Sequence, residues 1–244
     1  MFDIARSGYV NLLQPQDRRS LEAGDAAQAV EARARTIAGP GRELFERFVE
    51  RAATLPFAEY GAVVDLGCGS GELLAALAQV RPINGIGLDL STAAVDRAAR
   101  KYPGLTWVVA NADRRLPLLD GRVSLVLSLH ARRNPQECAR SLGNRGYLLV
   151  AVPADDDLAE LREAVQGSAT RRGRGESLIA AHREFFTLID HATARYIVDV
   201  TPEQLLDLLS GTYRGARRAN AGRIERLRQM TVTFASEFFL FGRC

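Results

Sequence analysis

At 244 residues, 47% of them hydrophobic and 25% charged, the chain is long enough for one large α/β domain with an appendage and short for three domains. No apolar run approaches the roughly 18 residues of a membrane span. Residues 1–20 lack the apolar core of a signal peptide, so no membrane partner is expected and the expected compartment is the cytoplasm. Cys68, Cys138 and Cys244 are too few and too scattered for a disulfide framework or a Cys-rich zinc site, and no metal is expected. The formal charge is only +3, with a pI near 9.0, and nearly every basic residue is arginine. Arginine clusters at Arg18-Arg19, Arg132-Arg133, Arg171-Arg172, Arg174 and from Arg214 to Arg228 suit phosphate contacts. On charge alone the plainer explanation, a surface solvated by arginine, is preferred.

Residues 1–60 read as a mostly helical leader and 61–244 as the α/β unit. From residue 62, buried-strand runs alternate with helical stretches, the pattern of a doubly wound sheet. Ala62–Leu66 is a short apolar run that ends in Asp and glycines, and Glu72–Val80 carries apolar residues at helical spacing. Ile83–Leu88 is a second strand ending at Asp89. Ser91 can cap a helix through Lys101, which Pro103-Gly104 breaks. Thr106–Ala110 and Val123–Leu129 are strands three and four. Asn134-Pro135-Gln136-Glu137 starts a helix, with Glu137 completing a capping box. Tyr147–Val152 is strand five, and a helix follows from about Asp157 to Val165. Gly167–Gly175, small and Arg-rich, reads as a loop. Beyond it Phe185–Ile189, Tyr196–Val200 and Met230–Phe241 look strand-like, with a capped helix starting at Thr201-Pro202-Glu203-Gln204.

Between the first strand and its helix lies Asp65-Leu66-Gly67-Cys68-Gly69-Ser70-Gly71-Glu72. Glycines there permit a tight turn and close backbone approach to a ligand. The spacing is Gly67-x-Gly69-x-Gly71 rather than the dinucleotide G-x-G-x-x-G. Asp65 stands where a carboxylate faces the ligand; it would repel a pyrophosphate and attract an ammonium or a sulfonium. S-adenosylmethionine has both cationic groups and no phosphate. Asp89, eighteen residues after Gly71, is placed to accept hydrogen bonds from ribose hydroxyls. Leu90 follows it, and Asn111-Ala112-Asp113 closes strand three, where Asp113 can meet the adenine amino group. Cys68 is a small residue in a crowded turn, with nothing to suggest a reactive thiolate. The expected cofactor set is Asp65, Gly67, Cys68, Gly69, Gly71, Asp89, Leu90, Ala112 and Asp113.

The opening Phe2-Asp3-Ile4-Ala5-Arg6-Ser7-Gly8-Tyr9-Val10-Asn11-Leu12-Leu13 resembles a stretch of the bacterial 23S rRNA guanine-N1 methyltransferases. Gly24-Asp25, Ala32-Arg33, Gly87-Leu88-Asp89-Leu90-Ser91, Ala131-Arg132-Arg133-Asn134 and Leu158-Ala159-Glu160-Leu161-Arg162 continue the similarity over most of residues 2–165. The resemblance implies a class I, Rossmann-like methyltransferase fold: a seven-stranded, mostly parallel sheet with helices on both faces, behind a helical leader. It implies S-adenosylmethionine as cofactor, 23S rRNA as partner and a possible homodimer. The family's zinc finger would precede Met1, so it implies no metal site here. The chain departs from the family at Pro40-Gly41-Arg42, where a Gly-His-Tyr element would fall, and at Asp157, where a His would.

The expected chemistry is methyl transfer to a base nitrogen in RNA. Guanine N1 lies on the pairing edge, so the base must be unpaired or flipped, and it must lose a proton. His130, just past strand four, falls on the substrate side of the pocket, although a loop histidine without chemistry explains it as well. Arg132 and Arg133 can hold phosphate or base, and Tyr9 and Asn11 can stack on or bond a base; as surface charges and anchors they need no function. Asp157 can be a base or, more simply, a helix cap. His182 and His191 read as structural or surface residues. Two other readings stay open: a methyltransferase for a small molecule, and a binding module without turnover.

Overall fold

The computed structural model describes residues 4–13, 24–59, 61–167, 173–211 and 228–244. Arg18-Arg19, Arg171-Arg172, Phe2-Asp3 and most of the stretch from Arg214 to Arg228 lie outside the described residues.

Among the described residues eight strands form one sheet: β1 (Val10–Asn11), β2 (Ala62–Leu66), β3 (Asn84–Asp89), β4 (Thr106–Val109), β5 (Val123–Leu129), β6 (Leu142–Pro153), β7 (Phe186–Val200) and β8 (Met230–Arg243). Their order is β1-β4-β3-β2-β5-β6-β8-β7, so the sheet has one strand more than the seven expected. The addition comes from the leader, where Val10 and Asn11 pair in parallel with Val108 and Val109. The six strands from β1 to β6 run parallel; β8 is antiparallel to β6 and to β7.

The helices among the described residues are α1 (Ala27–Ala38), α2 (Arg42–Ala53), α3 (Glu72–Val80), α4 (Thr92–Lys101), α5 (Pro135–Ser141), α6 (Ala159–Gln166), α7 (Arg174–His182) and α8 (Pro202–Ser210). Successive strand residues point to opposite faces, and the core divides accordingly. Val63, Leu125, Leu127 and Leu149 pack beneath Phe48 of α2, Leu74 and Leu77 of α3 and Val95 of α4. Val64, Leu66, Val126, Leu148 and Val150 turn to the other side, against Cys138 of α5, Leu178 of α7 and Phe239 and Phe241 of β8. A third cluster ties α6 and α8 to Val200, Val232 and Phe234.

Local chemistry sets the helix starts. Ser91 accepts the Ala94 N–H at 3.2 Å. Thr201 and Gln204 form the reciprocal capping box that the sequence promised. At α5 only half of that box forms: Asn134 accepts the Gln136 and Glu137 N–H groups, but the Glu137 carboxylate is drawn away to the Leu116 N–H and the Arg140 guanidinium. Three late expectations need correction. The stretches read as Phe185–Ile189 and Tyr196–Val200 are two ends of one long strand, β7, which starts at Phe186; the helix after strand five starts at Ala159 rather than Asp157; and α7 occupies residues read as loop or left unassigned.

The chain runs β2-β3-β4 towards one edge of the sheet and β5-β6 towards the other. The direction therefore reverses between β2 and β5, and ligands of open α/β sheets bind outside the carboxyl ends of strands at such a switch point.

Candidate active site

The loop after β2 is shaped by backbone that only glycine adopts freely: φ is +72° at Gly67, +54° at Gly69 and +89° at Gly71. A Cβ on Gly67 would lie 2.4 Å from that of Ala131, so the loops after β2 and β5 touch across the switch point. A Cβ on Gly71 would lie 2.5 Å from the Trp107 ring, which packs the loop from below. A Cβ on Gly69 would meet nothing within 4 Å, so this part of the loop borders open space that a ligand can fill.

Two carboxylates flank that space. Asp89, at the end of β3, accepts the Gly69 N–H at 2.9 Å and the Ser91 N–H at 2.8 Å, and so ties the glycine loop to β3. Asp65 is 2% exposed, yet its side chain has no hydrogen bond or ion pair among the described residues. Burial, reinforced by Asp89 and Glu72, pushes its pKa up to about 8. Asp89 is also raised, by burial against the pull of its two backbone bonds. Burial holds the Cys68 thiol well above the usual range, which leaves it unreactive.

The leader reaches this end of the cleft. Ser91 donates to the Asp25 carbonyl at 2.6 Å, Asp25 pairs with Arg33 at 2.8 Å, and Arg33 acts electrostatically on both Asp89 and His130. These two residues were visible in the sequence only as points of resemblance, because their approach to β3 is a long-range contact. Tyr9 packs on the core, and Asn11 accepts the Leu13 N–H at 3.1 Å, so both anchor β1 at the sheet edge. Leu90 is half-buried beyond Asp89. Ala112 and Asp113 lie at the end of β4 beside a groove of about 540 Å³ lined by Leu12, Ala110, Asn111, Arg114, Arg115 and Pro117. Asp113 is exposed and pairs with Arg132 at 3.3 Å.

Across the switch point stands His130, at φ +56°, a conformation that costs a non-glycine residue energy. Its Nε2 lies 2.7 Å from the Oγ of Ser236, a fully buried residue of β8 that the sequence did not single out. The residue is exposed, yet desolvation of the ring, followed by the charges of Arg174 and Arg33, pushes its pKa down to about 4. Asp157 does not cap α6; its carboxylate accepts the Ala235 N–H at 3.0 Å, and burial raises its pKa to about 6. Arg174 acts on both His130 and Asp157. Arg133 reaches His182, and His191 pairs with Glu237 at the surface. The cleft is thus acidic at the β2–β3 end and cationic around His130.

The model of a methyltransferase domain matches residues 63–146, which begin inside β2 and carry the glycine loop, Asp89 and His130. The chain is 40% identical over 191 residues to the 23S rRNA (guanine(748)-N(1))-methyltransferase of Streptomyces fradiae, covering 75% of this chain and 66% of that protein. It is 31% identical over 223 residues to a candidate 23S rRNA (guanine-N(1)-)-methyltransferase of Micromonospora griseorubida, covering 85% of this chain and 75% of that one. The chain belongs to the 23S rRNA guanine-N1 methyltransferase family. It spans about two thirds of the Streptomyces relative. The fold agrees: a methyltransferase solved with the Haloferax volcanii Trm112 activator superimposes with a TM-score of 0.57 at 22% identity, over 89% of this chain and 97% of that one.

A methyltransferase domain implies S-adenosylmethionine, and the residues here fit that cofactor. A buried carboxylate without a partner among the described residues calls for a cation, and the open flank of Gly69 leaves room for one. No helix among the described residues is long and apolar enough to cross a membrane, and no group of three or more His, Cys, Asp or Glu among them is placed to hold a metal.

Proposed function

We propose that this methyltransferase modifies N1 of a guanine in 23S rRNA, the activity that its Streptomyces relative is named for. The observation that carries the proposal is the division of charge within one cleft: Asp65, unpartnered among the described residues, at one end, and at the other a neutral His130 that feels the positive charges of Arg174 and Arg33. A cationic cofactor suits the first end and a polyanionic substrate the second. The bound cofactor supplies an electrophilic methyl group, and the chain's own work is positioning, charge and one proton.

In this reading Asp65 pairs with the cofactor ammonium, and the Gly67–Gly71 backbone, with Cys68 inside it, closes over the amino-acid part. Asp89 keeps lone pairs for the ribose hydroxyls beside its bonds to Gly69 and Ser91. Leu90, Ala112 and Asp113 border the adenine. On the substrate side, His130 donates Nε2–H to Ser236, which leaves Nδ1 to accept the guanine N1 proton. Its lowered pKa keeps the ring neutral, and therefore able to accept, at pH 7. Tyr9, Asn11, Arg132 and Arg133 line the approach of the RNA strand.

The test uses 23S rRNA from a strain lacking the gene, incubated with protein and cofactor. A methyl on N1 blocks the pairing edge, so reverse transcription is expected to stop at one new guanine. Cofactor binding by calorimetry without any stop would overturn the RNA substrate and favour a small molecule. No heat at millimolar cofactor would leave a binding module.

A further inference from the structure

Arg133, on the approach of the RNA strand, is tied to His182, a residue that the reading above leaves unused. Arg133 follows the loop that touches Gly67, and its Nη1 donates to the Ala131 carbonyl at 3.0 Å and to Ser128 Oγ at 3.3 Å. Its Nε donates to Nε2 of His182 at 3.1 Å. His182, 2% exposed and stacked 5.0 Å from Phe241, lies 2.7 Å through Nδ1 from the Leu178 carbonyl of its own helix. A carbonyl only accepts, so Nδ1 carries the proton and Nε2 is the acceptor that Arg133 needs. Burial pushes the His182 pKa down to about 4, which keeps the ring in that neutral form.

All three acceptors of Arg133 are uncharged. Among the described residues Arg133 makes no ion pair, and its Nη2 donates no hydrogen bond. Arg140 shows the contrast: Glu137 and Asp120 neutralise it, and it braces the 116–120 loop through the Leu116 and Leu118 carbonyls. A partly buried guanidinium is normally paired, because leaving its charge uncompensated is costly. Burial accordingly lowers the Arg133 pKa to about 10. Held on one side by neutral groups and open at Nη2, it has the form of an anion site waiting for its ligand.

We propose that His182 is a positioning residue that fixes Arg133 as a preformed anchor for one phosphate of the RNA strand entering beside the target base. The inference rests on the RNA reading above and adds to it His182, which from sequence alone reads as a structural or surface residue.

The test measures binding of labelled, in-vitro-transcribed 23S rRNA at several salt concentrations, with cofactor affinity and thermal unfolding as controls. R133Q is expected to weaken RNA binding roughly tenfold and to lower the slope of log affinity against log salt by about one. Cofactor affinity stays unchanged, and KM for RNA rises while kcat holds. H182L is expected to raise KM likewise, whereas H182Q, whose amide oxygen can accept from Arg133 Nε, restores it. A folded R133Q with wild-type affinity and salt slope overturns the anchor alone. A wild-type protein that binds no 23S rRNA overturns the RNA reading together with it. Should R133Q fail to fold, equal KM values for H182L and H182Q overturn the positioning role.

Discussion

Asp65 is protonated by roughly ten to one at pH 7 if its pKa stands at about 8. A cationic ligand needs the carboxylate, so binding must first expel that proton. Each pH unit below 8 then costs about 1.4 kcal/mol, a factor of ten in affinity. Cofactor affinity is expected to climb about fiftyfold from pH 6 to pH 8, then to level off as the ligand's own α-ammonium begins to titrate. Binding at pH 7 should release close to one proton. Calorimetry in two buffers of different protonation enthalpy reads that number directly.

The D65N variant has nothing to titrate at this position and is expected to lose most of the slope, binding weakly throughout. Whatever slope survives belongs to Asp89, whose pKa is also raised. The sign for stability is opposite to that of a salt-bridged carboxylate. A folded pKa above the unfolded value contributes stability that is complete below the unfolded pKa and lost as pH rises through 8. Without cofactor at pH 8, D65N should therefore melt above the wild type. Flat affinity between pH 6 and 8 with no proton release would refute the reasoning, because it would mean that Asp65 is already ionised in the free protein.

Gly71→Ala forces a Cβ to 2.5 Å from Trp107 at φ +89°, and is expected to cost at least about 2 kcal/mol. Thermal unfolding measures this, and an unchanged melting temperature would show that the loop is not braced by Trp107. Asp89→Ala removes the acceptor that joins Gly69 to Ser91 and should weaken cofactor binding by about tenfold or more; unchanged affinity in calorimetry would remove its ribose role. His130→Ala should lower kcat by roughly a hundredfold while cofactor affinity stays within about twofold. An unaltered kcat in single-turnover methylation would take the proton-accepting role away from His130.

The parallel strands were legible because a strand covered on both faces reads as a continuous apolar run, and β2, β5 and β6 are such runs closed by Asp, His or Pro. The edge strand β7 was legible only at its ends. Most of its residues face solvent, so Asp190–Arg195 carry no apolar alternation, and only pairing with β8 shows that the chain stays extended there. The start of α7 was hidden for a related reason: Arg174-Gly175 reads as turn, and the helix is held instead by Leu178 and His182 against the sheet.

The glycine loop and its carboxylates were legible from spacing, because these groups lie within one β-α-β stretch. Across the switch point His130 and Asp157 were legible singly, but not their association with Ser236, Arg33 and Arg174, since the five come from separate parts of the chain. That difference has a mechanistic consequence. The acidic end depends on a loop whose geometry three glycines and Asp89 hold locally, so it can form as soon as β2 and β3 pair. The cationic end exists only once β8 has closed on β6 and α1 has docked over β3. Perturbing the β8 side, for example at Ser236, should therefore separate the two functions, leaving cofactor affinity nearly intact while methyl transfer falls.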